Sequence, residues 1–306
     1  MKKSGNLNRI LAVLGLIAVV LAAYFLWARP YQLRWGATDE EVRRPMPGDE
    51  LDTSPAFLAT RAITIDGTPE KIWPWLIQMG YTRAGYYGYD LLENVGSPRG
   101  MQSATTILPE FQGFKVGDAV PISPTSGMIF HAIEPNQYLI WSGETGGGGF
   151  TWALYPIDES HTRLVNRIRW SHHWGQPGLL ALDLFTEFTD HLAIRKILQG
   201  VKGRVESNVQ PMSDVNIEFL IYIGTFIAFI WAAISVLRLP LTWGSWLVGL
   251  AGGLTWLVSW YAPVSIWISA VLSFLIVWAV RVEFRDVQRS KMNQDQQAKP
   301  RVQRKH

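Results

Sequence analysis

The chain contains no cysteine. That excludes a disulfide framework, a thiolate zinc site and a cysteine nucleophile. No HExxH pair and no GxSxG elbow occurs either, so zinc hydrolysis and serine acyl transfer have no motif to stand on. The glycine run Gly146–Gly149 has no lysine after it and opens no helix, which leaves a hairpin loop rather than a phosphate cradle. Apolar runs at 10–28, 217–237, 241–262 and 264–280 each approach the roughly 20 residues that span a bilayer.

The formal charge is +3, from 28 Lys and Arg against 25 Asp and Glu. The excess is not on the middle of the chain. Residues 29–216 hold 16 basic against 21 acidic side chains, a net of −5. The basic groups sit in the 1–9 segment and in the 281–306 tail, which reads as disordered. Nucleic-acid binding needs a basic face on the folded part, so it is not expected. Basic ends beside apolar runs instead place both termini in the cytoplasm and the large 29–216 loop outside a bacterial plasma membrane. The uncharged Tyr261–Pro263 turn and the Arg238 loop agree with four crossings. The first run could also be a cleaved signal, but bulky Tyr24, Phe25, Leu26 and Trp27 stand where cleavage wants small residues. It reads as an anchor.

Residues 29–56 are polar and proline-containing, an irregular arm. Phe57–Asp66 alternates and is β-branched, hence a strand. Thr68 is an N-cap before Pro69, opening a helix with Ile72, Trp73, Leu76 and Ile77 on one face. A short helix follows near 87–95. Strands are expected at 119–122, 128–133, 138–142, 150–157 and 162–170, an antiparallel meander. A long amphipathic helix covers 179–207, with Leu184, Phe188, His191, Leu192 and Leu198 at helical spacing.

"ATRAITIDGTPEKIWPWLIQMG" (59–80), "RAGYYGYDLLEN" (83–94) and "KVGDAVPI" (115–122) together resemble the START-like, or SRPBCC, superfamily, in its polyketide cyclase/dehydrase and lipid-transport branch. The resemblance covers 57–207 and not the apolar runs. It implies an α+β helix-grip fold: an antiparallel sheet around a long C-terminal helix, with an elongated apolar cavity between them. Members bind lipids, sterols, polyketides or aromatic compounds, and some are enzymes.

Within that fold the 83–94 segment caps one end of the cavity. Trp75, Tyr86 and Tyr89 are candidate wall residues, faced by Trp152 from the sheet; the alternative is that the rings only pack the segment down. Arg83, Asp90 and Glu93 are candidate polar pocket residues, or a surface ion cluster. His131 shares a strand face with Ile129 and Ile133, either as a core histidine or as a base. Arg167 and Arg169 share another face, to receive an anion if it is inner and to meet water if it is outer. His172, His173, Glu187 and His191 fall short of a zinc set, so no metal is expected, and no cofactor. The expected function is binding of a hydrophobic small molecule or lipid by a membrane-anchored domain. A cyclase or dehydratase using Asp90 or His131, and a scaffold for another membrane protein, are the alternatives. Oligomeric state is not legible.

Overall fold

The computed structural model describes residues 14–15, 18–19, 21–94, 100–170, 177–238, 251–255 and 265–298. Two compact units emerge, one of residues 21–216 and one of the remaining chain.

The first unit is built on one six-stranded antiparallel sheet. Its strands are β1 (Phe57–Asp66), β2 (Ala119–Pro121), β3 (Gly127–Glu134), β4 (Tyr138–Ser142), β5 (Gly148–Pro156) and β6 (His161–Trp170). Their order is β1-β6-β5-β4-β3-β2, so the first strand closes against the last and the others run as a meander. Before the sheet lie a π-helical turn, Tyr24–Ala28, and helices α1 (Arg29–Leu33) and α2 (Asp39–Arg43). Helices α3 (Pro69–Ile77) and α4 (Asp90–Glu93) fill the β1–β2 connection, and α5 (Leu180–Val205) follows β6.

Alternation gives the sheet two faces. Leu139 and Trp141 of β4, Trp152 and Leu154 of β5, and Leu164 and Ile168 of β6 join Ile194, Ile197, Leu198 and Val201 of α5 in one core. The four helix positions recur at i, i+3, i+4 and i+7, one face of the helix. Each such side chain contributes roughly 1.5–3 kcal/mol when fully buried, and this seam is what makes the sheet grip the helix. A change such as Leu198→Ala would open it at a cost of about 2–5 kcal/mol.

The opposite face is covered by the arm, which is ordered rather than irregular. Thr38 and Glu41 form a capping box that starts α2. Met46 packs on Ala62, Ala153 and Val165. Arg163, Arg167 and Arg169, two or four apart on β6, all project to this face. Arg163 forks onto Glu41, and Arg167 pairs with Asp49. A sheet that a one-sided reading would leave wet is thus sandwiched.

Two local expectations need correction. Thr68 occupies the N-cap position of α3 but makes no side-chain capping bond. The register of β3 on β4 shifts between Phe130 and Ala132. That bulge inserts His131 as an extra residue, so Phe130 and Ile133 both reach the core while His131 is exposed.

Helices α6 (Met212–Arg238), which begins at the end of the first unit, and α7 (Ile266–Ala298) are long. Over Met212–Trp231 and Ile266–Ser290 they are apolar enough to cross a membrane. Two such helices, not four, stand among the described residues; most of the 241–262 run lies outside them, and of the 10–28 run they include 14–15, 18–19 and 21–28. Helix α7 also runs through most of the segment read as a disordered tail. From Val282 to Ala298 there is neither Gly nor Pro, and Glu, Arg, Gln and Lys are good helix formers.

Candidate functional site

The 83–94 segment packs where the sequence places it, against the gripped helix and the sheet, but its tyrosines use their hydroxyls on the protein. Tyr86 donates to the Pro121 carbonyl at 2.7 Å. Tyr87 donates to the Trp75 carbonyl at 3.0 Å and accepts from Gln78 at 2.8 Å. Tyr87 has φ +65°, a left-handed conformation costly for a ring-bearing residue, and Ser103 Oγ accepts its N–H. Gly85, at φ +77°, passes so close to Ser103 that a Cβ would lie 2.7 Å from its Cα. At Gly88 a Cβ would meet a Glu93 carboxyl oxygen at 2.3 Å. Gly85 is therefore required by both backbone and space, whereas a side chain at Gly88 would need the Glu93 carboxyl to move.

The rings form two groups, a Trp75–Tyr87 pair and a Tyr86–Trp141–Trp152 path. Trp75 meets Tyr87 edge-on at 5.8 Å. Tyr86 meets Trp141 at 6.4 Å, and Trp141 meets Trp152 at 5.7 Å. Trp75, Tyr86 and Trp152 share one core, and Trp141, which the sequence reading missed, links the last two. Tyr89 is fully buried but lies apart from them, its ring 5.3 Å from the Lys196 ammonium.

The polar candidates divide. Arg83 stacks on Phe114 at 3.7 Å and donates to the Ile77 carbonyl, and burial pushes its guanidinium down to about 10. Asp90 accepts from the Ser103 amide and hydroxyl. Glu93 is different. Both its carboxyl oxygens are sealed from solvent and complete no hydrogen bond. Burial, reinforced by the Asp90 charge, pushes it up to about 8, against a weaker pull from the Tyr86 and Gly88 amides and Arg204. Arg169 is no pocket residue: it donates to the Asp52 carbonyl and pairs with Asp49 on the arm face. His131 faces outward at the bulge.

On the inner face, one row carries polar atoms with no protein partner. β1, β6 and β5 set Arg61 opposite Asn166 and Asn166 opposite Trp152. Arg61, Asn166 and Trp152 are fully buried and Trp141 nearly so. Arg61 Nη2, Asn166 Oδ1 and the indole nitrogens of Trp152 and Trp141 lack a hydrogen-bond partner. Sequence alone had one signal for this row, Arg61 at an inward position of a strand otherwise apolar on that side.

Of the residues weighed as metal ligands, His172 and His173 lie outside the described residues. Glu187 accepts a forked pair from Arg29, with Tyr24 and Gln32 also donating. His191 is buried against the Gln32 carbonyl, and burial holds its imidazole well below its usual range. Among the described residues no group of His, Asp and Glu is placed to hold a metal ion.

No family model matches the chain, and no curated protein sequence does. Solved structures are similar at low identity. A Polyketide_cyc-like protein from Corynebacterium glutamicum is 16% identical, with 53% of this chain and 94% of that chain covered and a TM-score of 0.24. The self-sacrificing resistance protein CalC from Micromonospora echinospora is 12% identical, covering 50% and 96%, at 0.32. The Aha1 dimer from Colwellia psychrerythraea is 15% identical, covering 50% and 98%, at 0.28. The fold itself rests on this chain's own strand order and on the helix that its sheet wraps. By its own strand order and the α5 face packed on the sheet, Phe57–Val205 has a helix-grip fold, an antiparallel sheet wrapped on a long C-terminal helix.

Proposed function

We propose that the helix-grip domain binds a hydrophobic small molecule or lipid between sheet and helix, as a carrier or sensor held at a membrane and without covalent catalysis. One observation carries the reading. The inner face joins a path of aromatic rings to buried indole N–H groups that no protein atom accepts. A buried donor left unmatched costs about 1–3 kcal/mol, so a bound molecule that accepts from it offsets that cost. Mass spectrometry of compounds released from the detergent-purified full chain tests this. A hydrophobic compound at near one per chain is expected; a chain that carries none and takes up none would sink the reading.

A second reading has its own observation in the sealed Glu93 carboxyl, which holds a proton at neutral pH and so could act as a general acid. It moves the cyclase or dehydratase alternative from Asp90 and His131 to Glu93. Under it, Glu93→Gln abolishes turnover of a bound substrate without releasing it. Unchanged turnover in that variant rejects this second reading.

A further inference from the structure

The row at Arg61 is specific about what it will accept. Of the three guanidinium nitrogens, Nε donates to the Gln32 carbonyl at 2.7 Å and Nη1 to Asp190 at 2.7 Å. Only Nη2 is left. The Asn166 amide is oriented by its Nδ2, which donates to the Thr151 carbonyl at 3.2 Å, so Oδ1 is the end turned to the unmatched row. Across the four neighbouring strands β1, β6, β5 and β4 the unmatched set is therefore three donors, Arg61 Nη2 and the indoles of Trp152 and Trp141, and one acceptor, Asn166 Oδ1.

Charge narrows the class further. The Arg61 cation is already matched by Asp190, and nearby Glu187 by Arg29. A full anion seated on Nη2 would add a buried charge without a counter-ion, which is far more costly than leaving a neutral group. A carbonyl oxygen satisfies the donors at no such cost, and a hydroxyl satisfies Asn166.

We infer that the occupant is a neutral, carbonyl-bearing apolar molecule with a hydroxyl group, its polar end seated at Arg61, Asn166 and Trp152 and its apolar body along the aromatic path. This rests on the binding reading above and names its ligand class: an ester, amide or ketone rather than a carboxylate amphiphile or a bare hydrocarbon.

The test uses the full chain in dodecyl maltoside with three isotope-labelled probes of similar apolar length: monooleoylglycerol, oleate at pH 9, and octadecene. Retention through size exclusion is measured for each. Monooleoylglycerol should be held about tenfold or more tightly than either of the others, the scale of two matched hydrogen bonds. Trp152→Phe and Asn166→Leu should each lower its retention about threefold to tenfold while leaving octadecene unchanged. Oleate or octadecene held as well as monooleoylglycerol overturns the inference, and this comparison needs no variant to fold. Unchanged retention of monooleoylglycerol in both folded variants also overturns it. If none of the probes is held but a different hydrophobic compound stays with the purified chain, the ligand class is wrong and the binding reading survives. If nothing at all is held, both fall.

Discussion

The Arg167 guanidinium on β6 donates to the Glu41 carbonyl at 2.6 Å, across 126 residues of sequence. The same side chain reaches the Val42 and Arg44 carbonyls, Thr60 Oγ1 and Asp49. One buried cation thus gathers the arm onto the sheet.

Arg167→Met keeps most of the volume and removes every one of these donors. It leaves several buried arm carbonyls unmatched, at about 1–3 kcal/mol each, and takes from Asp49 one of its two arginine partners, so a loss of about 3–5 kcal/mol is expected. Thermal melting should show the drop, and limited proteolysis should cut between residues 44 and 54 in the variant before the wild type. Equal cleavage of both would mean that the arm is held elsewhere.

Glu93 predicts a pH dependence. The folded carboxyl keeps its proton to about pH 8, whereas the unfolded group releases it near 4.5. Between those values the native state binds more protons, so stability from this group is fully present below 4.5 and is lost as pH rises through 8. Glu93→Gln should therefore melt close to wild type at pH 4.5 and above it at pH 9. A difference that does not change with pH would assign Glu93 an ordinary ionised state.

Tyr87→Phe deletes a hydroxyl that makes two buried hydrogen bonds, to Trp75 and from Gln78. A loss of about 1–3 kcal/mol in stability is expected, with no change in the compound that copurifies. A changed ligand with unchanged melting would reverse that assignment and make the hydroxyl a contact.

Topology can be read by labelling, because no background thiol exists. With the domain outside and both termini cytoplasmic, Ser160→Cys in the exposed β5–β6 turn should react with an impermeant reagent in intact cells. Gln297→Cys should react only after lysis. The reverse pattern inverts the orientation.

Strand positions were legible in the sequence because β-branched and aromatic runs are bounded by turn residues. Tyr138–Ser142 and Phe57–Asp66 fall at the expected residues. The helix that the sheet grips was legible too, but its buried face was not. Asp183, Glu187 and Lys196 are buried on α5, and in sequence such residues look like a solvated edge. The arm had a signal that went unread, the Thr38-x-x-Glu41 capping box. What it binds had none, since Arg167 looks the same whether it meets water or the Glu41 carbonyl. His131 was misplaced because a bulge changes the parity of a strand without changing its composition. Glu93 and the Trp141 indole became distinctive only when their surroundings were seen, since a sealed carboxyl is a property of neighbours.

The stapled arm also sets a length. In sequence, residues 29–56 are a spacer that fully extended would span about 90 Å and let the domain roam over that radius. Fastened across β6 it yields almost no reach. The standoff of the domain from the point where the chain leaves the first apolar run is fixed by folding, not by spacer length. Residues inserted in the exposed stretch around Asp52–Ser54 would bulge outward and leave that standoff unchanged.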